Sequence, residues 1–249
     1  MMPHQLNWQE ICQMIPKRKA DAQKGDFGRL LCITGSRNMP GACLLSTQAA
    51  LRGGAGLVTV ATAPENPMRL AAAAPEAMWL PLETDEAGFL RSSDQNQKML
   101  EKQLSRANAM LLGCGLGVTE ETRRLVHWVL EQAVCPVVLD ADGLNCAVSC
   151  IELSRRTGKD WILTPHPGEM ARLTGHSIPQ IQENRVETAT QFAAAYPVTL
   201  ALKGAGTLVA QGSRLAQNPT GNPGMSRGGS GDVLAGLIAA FAAQGIPSW

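Results

Sequence analysis

Asn222-Pro-Gly-Met-Ser-Arg-Gly-Gly-Ser-Gly-Asp-Val-Leu-Ala-Gly-Leu237 places three glycines around a serine, then one acid, then an apolar run. Gly228, Gly229 and Gly231 let the backbone turn tightly and approach a ligand with no Cβ in the way. From Asp232 onward, Val233, Leu234, Leu237, Ile238 and Phe241 recur at helical spacing, which predicts a helix beginning at the acid. A helix start after a glycine loop directs free N–H groups and a positive dipole end outward, an arrangement suited to phosphate. Asp232 then has two readings. Acids favour the first turn of any helix. Alternatively, Asp232 removes a proton from a substrate hydroxyl while the amides of Gly229, Ser230 and Gly231 hold the transferring phosphoryl group.

Upstream of this stretch, short apolar runs alternate with helical segments. Strands are expected at 30–34, 57–61, 109–113, 136–140, 161–164 and 198–202, and a hairpin is expected to begin at 208–210. Helices are expected at 42–52, 65–74, 95–106, 119–132 and 178–195. This alternation predicts an α/β fold with a mainly parallel central sheet covered by helices on both faces. In such sheets, ligands bind in the loops at the carboxyl ends of the strands. Gly35-Ser36, Gly113 to Gly117, Asp140 to Asp142, His166 to Glu169 and Lys203 to Thr207 all fall on such loops. Five coincident placements predict a site.

The totals narrow the class. At 249 residues, 45% hydrophobic and 17% charged, the chain has material for a large core. A formal net charge of +1 gives no pull toward nucleic acid or an anionic membrane. The seven cysteines contain no C-x-x-C pair, so they read as buried thiols of a reducing compartment, not as a disulfide frame or zinc site. The polar start and the lack of a membrane-length apolar run lead to the expectation of a soluble cytoplasmic protein. Residues 1–26 are polar, with the basic cluster Pro16-Lys-Arg-Lys19. A solvated lead-in of residues 1–23 is expected before a single domain that fills the remainder of 1–249.

Each candidate cluster has an ordinary reading beside its functional one. Lys203-Gly-Ala-Gly-Thr207 offers an amine, bare backbone and a hydroxyl to a phosphate or nucleotide, or is a glycine-rich turn with a solvated lysine. It lacks the spacing of a Walker loop. Asp140 and Asp142 suit substrate hydroxyls or a metal, or Asp142 caps the following helix. His166 is held between two prolines, which limits where its ring can point. Glu169 suits magnesium near phosphates, or is a first-turn helix acid. Arg185 reads as an exposed helix charge, and the cysteines, none of them paired with a nearby histidine, as core.

Taken together, Lys24-Gly-Asp-Phe-Gly28, Gly35-Ser-Arg-Asn-Met-Pro-Gly-Ala42, Arg52-Gly-Gly-Ala-Gly-Leu-Val58, Gly113-Cys-Gly-Leu-Gly117, Asp140-Ala-Asp-Gly-Leu-Asn145, Thr164-Pro-His-Pro-Gly-Glu169, Lys203-Gly-Ala-Gly-Thr207, Gly221-Asn-Pro-Gly-Met225 and Gly229-Ser-Gly-Asp-Val-Leu234 resemble the ADP-dependent NAD(P)H-hydrate dehydratases. They occur in that family's order from about Lys24 to Gln244. The resemblance implies a ribokinase-like fold and a repair reaction in which the hydrated S epimer of NADH or NADPH loses water. ADP (or ATP) is consumed with Mg2+ assisting, and AMP (or ADP) and phosphate are released. It further implies that Ala42, Gly115, His166 and Asp232 contact the hydrated nicotinamide nucleotide. Lys203, Gly204, Ala205, Gly206, Thr207 and Gly231 would hold the adenine nucleotide, and Asp140, Asp142, Asn145 and Glu169 would support them. A homo-oligomer such as a tetramer, and a functional link to an NAD(P)H-hydrate epimerase, are implied in the same way.

Three departures from the family pattern lie near these motifs: Gln23 replaces a usual histidine, Cys114 a usual proline, and Ser226-Arg227 small residues. The proline loss predicts a looser loop at Cys114, and Arg227 either clamps a phosphate or crowds the site. Relatives continue with more helix beyond the position of Trp249, so an uncovered sheet face, or one covered by a partner subunit, is expected. Two other functions stand beside the dehydratase. One is a small-molecule kinase of the same superfamily, of thiazole-alcohol or pyridoxal type. The other is a nucleotide-binding protein without turnover.

Overall fold

The computed structural model describes residues 3–5, 7–15, 17–158 and 160–249, with the side chains of 156 and 157 left aside. Pro16, at the head of the basic cluster, lies outside the described residues. Strand β1 (His4–Gln5) and helix α1 (Trp8–Met14) come first. Next come β2 (Arg29–Ile33), α2 (Pro40–Arg52), β3 (Leu57–Thr62), α3 (Asn66–Leu70) and β4 (Met78–Pro81). The middle of the chain forms α4 (Asp94–Leu104), β5 (Ala109–Leu112), α5 (Glu120–Gln132), β6 (Val137–Leu139), α6 (Asp142–Ala147) and α7 (Leu153–Thr157). It continues with β7 (Trp161–Leu163), α8 (Pro167–Thr174), α9 (Ile178–Glu183), α10 (Arg185–Ala195) and β8 (Val198–Leu202). A hairpin of β9 (Leu208–Gln211) and β10 (Arg214–Gln217) then leads to α11 (Ser230–Ala243).

Among the described residues the ten strands form one sheet in the order β1-β10-β9-β8-β7-β6-β5-β2-β3-β4. Pairing is parallel except where β9 meets β8 and β10. The expected α/β architecture with a mainly parallel sheet is therefore present. After β1 at one edge of the sheet, the chain lays down β2, steps outward through β3 to β4, then returns to the other side of β2 and proceeds from β5 to β8. The reversal lies between β2 and β5, where an open α/β sheet forms a crevice at its carboxyl edge. The two loops that meet there are joined by backbone bonds from Gly35 N–H to Cys114 O (2.8 Å) and from Ser36 N–H to Gly115 O (2.7 Å).

Alternate strand residues feed two cores. Leu31, Ile33, Met110, Leu112, Val137, Leu139, Trp161 and Leu163 pack on one face. Leu30, Cys32, Val58, Val60, Leu111, Val138 and Ile162 pack on the other, beneath α2 and α11. On α11 the most deeply buried residues are small ones, while of the large apolar residues that carry the helical spacing Ile238 packs only partly buried. Ala235, Gly236, Ala239, Ala240 and Ala243 are buried, while Phe241 is 38% exposed. The cause is a close helix crossing: a Cβ on Gly236 would stand 2.3 Å from the backbone oxygen of Ser46 on α2. Only a small-residue face permits that approach.

Several expected boundaries differ. The lead-in is not simply solvated, because His4 and Gln5 pair with Ala216 and Gln217 at the sheet edge. Strand β4 was not expected, since Met78-Trp-Leu-Pro81 is short and ends in proline. The helix expected over 65–74 is confined to Asn66–Leu70, and Pro75 disfavours helix in the residue before it. The helix expected over 178–195 is two helices, broken at Asn184 (φ −124°, ψ 40°). No helix among the described residues is long and apolar enough to cross a membrane.

Candidate active site

The five loops singled out in the sequence follow β2, β5, β6, β7 and β8, which are consecutive neighbours in the sheet. Side chains from the last four of them, Cys114, Asp140, Glu169 and Lys203, gather beside the start of α11, and the Gly35-Ser36 loop joins them through its backbone bonds to Cys114 and Gly115. That helix begins at Ser230, two residues before the position expected, because Gly229 (φ 90°) turns the chain as its N-cap without a side-chain capping bond. The first N–H groups of α11 have no intrahelical acceptor, and Asp232 lies in this first turn. A Cβ on Gly231 would lie 3.5 Å from Lys203 Nζ and 3.7 Å from Asp140 Oδ2, so both charged groups stand directly against the helix start.

Asp140 is 1% exposed. Its Oδ1 accepts from Thr164 Oγ1 and from Lys203 Nζ, each at 2.7 Å. Lys203 Nζ also lies 3.7 Å from Glu169 Oε2. A lysine expected to reach outward to a nucleotide is thus drawn between two buried carboxylates, with the Gly204 to Thr207 turn beyond it. Glu169, also buried, accepts from His166 N–H at 2.8 Å and completes a capping box on α8. The Nδ1 of His166 accepts from the amides of Gly168 and Glu169. In the neutral ring this leaves the proton on Nε2, 3.3 Å from Glu169 Oε1. Glu169 is thus the first-turn acid of the ordinary reading, and it also belongs to the charged cluster around Lys203.

Burial raises the Asp232 carboxyl pKa above the ordinary carboxylate range. Repulsion from Asp140 and Asp142 adds to this, and a hydrogen bond from Cys114 and the charge of Lys203 oppose it. Burial likewise raises Glu169, against the pull of Lys203 and His166. Two neighbouring acids with raised affinity for protons, beside one ammonium, form the kind of environment that tunes proton-transfer groups.

The remaining predicted residues divide. Ala42 lies on the first turn of α2 against Gly115 (φ 68°), whose added Cβ would approach Ala42 Cβ to 2.9 Å. Asp142 is not the helix cap expected of it. Ala141 holds the N-cap position in a strained conformation (φ 49°, ψ −118°), and Asp142 Oδ2 instead accepts from Gly117 N–H at 2.8 Å, pinning the neighbouring glycine loop. Asn145 turns away from the acids, with Oδ1 accepting from Arg172 at 2.9 Å. Arg227 is exposed on the 221–228 loop.

Two residues read as ordinary in the sequence prove structural or central. Arg185 is not an exposed helix charge: it donates to Leu202 O (3.0 Å) and Lys203 O (3.2 Å), and a Cβ on Gly204 would stand 2.8 Å from its Nη1. The break at Asn184 turns it onto the strand end. Arg185→Met is expected to lower the unfolding free energy by about 2 kcal/mol, because two carbonyls lose a charge-assisted donor. Urea unfolding followed by circular dichroism measures this, and Arg185→Lys should recover part of the loss. Cys114, expected to pack and to loosen its loop, is fully buried with Sγ 3.8 Å from Asp140 Oδ2. Its position between two glycines of a strand-end loop was the available signal.

The chain is similar to known proteins over most of its length. The family model for NAD(P)H-hydrate dehydratase matches residues 30–248. A bifunctional NAD(P)H-hydrate repair enzyme of Moorella thermoacetica is 41% identical over 93% of this chain and 44% of its own length. The chain thus spans less than half of that relative. An ADP-dependent (S)-NAD(P)H-hydrate dehydratase of Xanthomonas campestris is 38% identical over 89% of this chain and 74% of its own. Among solved structures, the ADP/ATP-dependent NAD(P)H-hydrate dehydratase of Bacillus subtilis, co-crystallised with ATP and Mg2+, superposes with a TM-score of 0.80 at 31% identity, covering 98% of this chain and 82% of its own. The fold is ribokinase-like.

Proposed function

The chain belongs to the NAD(P)H-hydrate dehydratase family, and from that premise we propose that it converts the hydrated S epimer of NADH or NADPH back to the reduced cofactor, consuming ADP or ATP. The observation that carries the reading is the convergence of Asp232, Lys203 and Asp140 on the uncapped start of α11. It adjoins the crevice where Ala42 and Gly115 meet. A phosphoryl group fits the helix start, and the hydrated ring fits the crevice within reach of Asp232.

Hydroxide is a poor leaving group, and a phosphate ester is a good one. Asp232 takes the proton of the ring hydroxyl as its oxygen attacks the terminal phosphorus of ADP, releasing AMP. The first-turn amides of Ser230 and Gly231, together with Lys203, stabilise charge on the transferring group. Departure of phosphate from carbon, with loss of a proton from the adjacent carbon, restores the dihydronicotinamide. His166, whose ring is half exposed, borders the same space and positions the nicotinamide amide. Gly204 to Thr207 provide a backbone cradle for the adenine nucleotide.

The donor set fits Mg2+. Asp140 Oδ2 and Glu169 are buried carboxylate oxygens beside the proposed phosphate position, and hard oxygen donors suit this ion. When bound with the nucleotide, it would offset phosphate charge.

The test is recovery of dihydronicotinamide absorbance from hydrated NADH with ADP or ATP and Mg2+. The expected outcome is restored absorbance with stoichiometric release of inorganic phosphate. A phosphorylated product that accumulates without that absorbance would assign the chain to small-molecule kinases instead. Nucleotide binding without phosphate release would leave a binding protein.

A further inference from the structure

We infer that Cys114, Asp140 and Asp232 together form a binding site for a borderline-soft divalent cation such as Zn2+ or Co2+, with a thiolate donor that Mg2+ does not use. One donor atom from each of the three residues lies within 4.8 Å of the other two, and Cys114 Sγ stands 3.8 Å from Asp140 Oδ2. Tetrahedral zinc with S and O bonds of about 2.3 and 2.0 Å separates those two ligand atoms by roughly 3.5 Å. The thiol–Asp140 edge is therefore nearly set, and the partly buried Asp232 closes the remaining edges by side-chain rotation.

Two independent observations direct a cation here. Asp140 is 1% exposed, and its Oδ1 is occupied by Thr164 and Lys203. Among the described residues, the hydrogen-bond partner of Oδ2 is the Cys114 thiol alone. A thiol is a weak donor for a buried carboxylate oxygen. The charge balance points the same way: Asp140, Glu169 and Asp232 supply three carboxylates against the single ammonium of Lys203. Gly231, which carries no Cβ, brings the start of α11 directly against Oδ2.

A cation that favours sulfur displaces the thiol proton, forming one metal–sulfur bond for each proton released. Mg2+ has little affinity for sulfur, so the thiol discriminates between the two classes of ion. The binding stands on the donor set alone. Its consequence rests on the dehydratase reading: a bound Zn2+ occupies the Asp232 carboxylate and blocks its proton transfer.

The experiment titrates the full reduced chain with Co2+ alone. The expected result is a thiolate-to-cobalt charge-transfer band in the near ultraviolet with visible tetrahedral bands, saturating at one equivalent. The spectrum should be lost in Cys114→Ala and retained in Cys12→Ala, which removes an exposed thiol. It should also persist in a large excess of Mg2+ and be displaced by Zn2+. No band in the wild type, or a band surviving Cys114→Ala, overturns the inference. Should Cys114→Ala not fold, Asp232→Asn keeps the thiol and is expected to weaken Co2+ binding by ~10-fold or more; unchanged affinity overturns it equally. Neither readout needs turnover. A chain that binds Co2+ through Cys114 yet leaves hydrated NADH untouched refutes only the dehydratase reading, and active enzyme with no band refutes only this one.

Discussion

Asp232→Asn is expected to lower kcat for the dehydration of hydrated NADH by ~10³-fold or more while raising thermal stability at neutral pH. The rate loss follows from removing the proposed base, whose class contributes about 10²- to 10⁴-fold, in a site where the phosphoryl cradle has no other carboxylate on its own helix turn. The stability gain follows from the pKa. The folded value lies above the ordinary one because burial, and then Asp140 and Asp142, disfavour the charged carboxylate. A carboxyl raised in the folded state binds more protons there than in the unfolded chain. Stability therefore falls as pH rises from the unfolded value of about 3.9 through the folded one, and asparagine removes that loss. Below the unfolded value, the two proteins should unfold alike. The same shift sets the acid limb of the wild-type kcat/KM profile above the ordinary aspartate pKa, with activity lost as pH falls through it. Paired thermal melts and pH–rate profiles decide the matter. A purely structural aspartate would lose stability and activity together, so a mutant that is less stable at pH 7, or one that retains more than about a tenth of wild-type kcat, removes Asp232 from the role of base.

Opposite signs at one residue are characteristic of a site held against local stability, and such sites are also where sequence reading fails. The strands and the loops that follow them were legible because apolar runs bounded by glycine have few alternatives in a chain of this length. The placement of five loops at the carboxyl ends of neighbouring strands followed from the topology rule for parallel sheets. The fine wiring did not follow. Asp142 resembled a helix cap, yet it holds Gly117, because the positive φ of Ala141 takes the cap position and no side-chain pattern announces that strain. Arg185 sits at a helical position that periodicity places outside. Only the break at Asn184 turns it onto the carbonyls of Leu202 and Lys203. Lys203 reads in the sequence as a phosphate-binding or solvated amine, with no carboxylate partner, because its two partners lie 63 and 34 residues away. Such pairings depend on register across the sheet, which single-residue propensities do not encode. The packed face of α11 was misleading for a related reason: its alanines and Gly236 carry little hydrophobic signal, but they set how closely α11 and α2 approach.

Gly113→Ala is expected to destabilise the fold by about 3–5 kcal/mol, a large share of the 5–15 kcal/mol typical of a domain. Gly113 follows β5 directly with φ 138°, and a Cβ there would stand 1.9 Å from Asp140 O, 2.5 Å from Gly143 N and 2.8 Å from Gly143 Cα. Gly143 is the reciprocal partner, since its own Cβ would fall 2.2 Å from Leu112 O. These neighbours are backbone atoms held by Gly143 N–H to Asp140 O (3.0 Å) and Gly113 N–H to Ile33 O (3.2 Å), so no side chain can swing aside. Relief requires β5 and β6 to part at their carboxyl ends, where Asp140 meets Cys114 and Lys203. Activity in the folded fraction should consequently fall along with stability, because a shift of about 1 Å in a positioning group can cost ~10²-fold in rate. Gly175→Ala separates the two penalties. Gly175 also has positive φ (76°) but nothing within 4 Å of an added Cβ, so it reports the conformational cost alone, about 1 kcal/mol. Urea unfolding of the two variants side by side decides the point. If Gly113→Ala costs no more than Gly175→Ala, the back-to-back glycines are not what holds Asp140 in register with Lys203, and the rigidity of the acid cluster must come from the Thr164 and Lys203 hydrogen bonds alone.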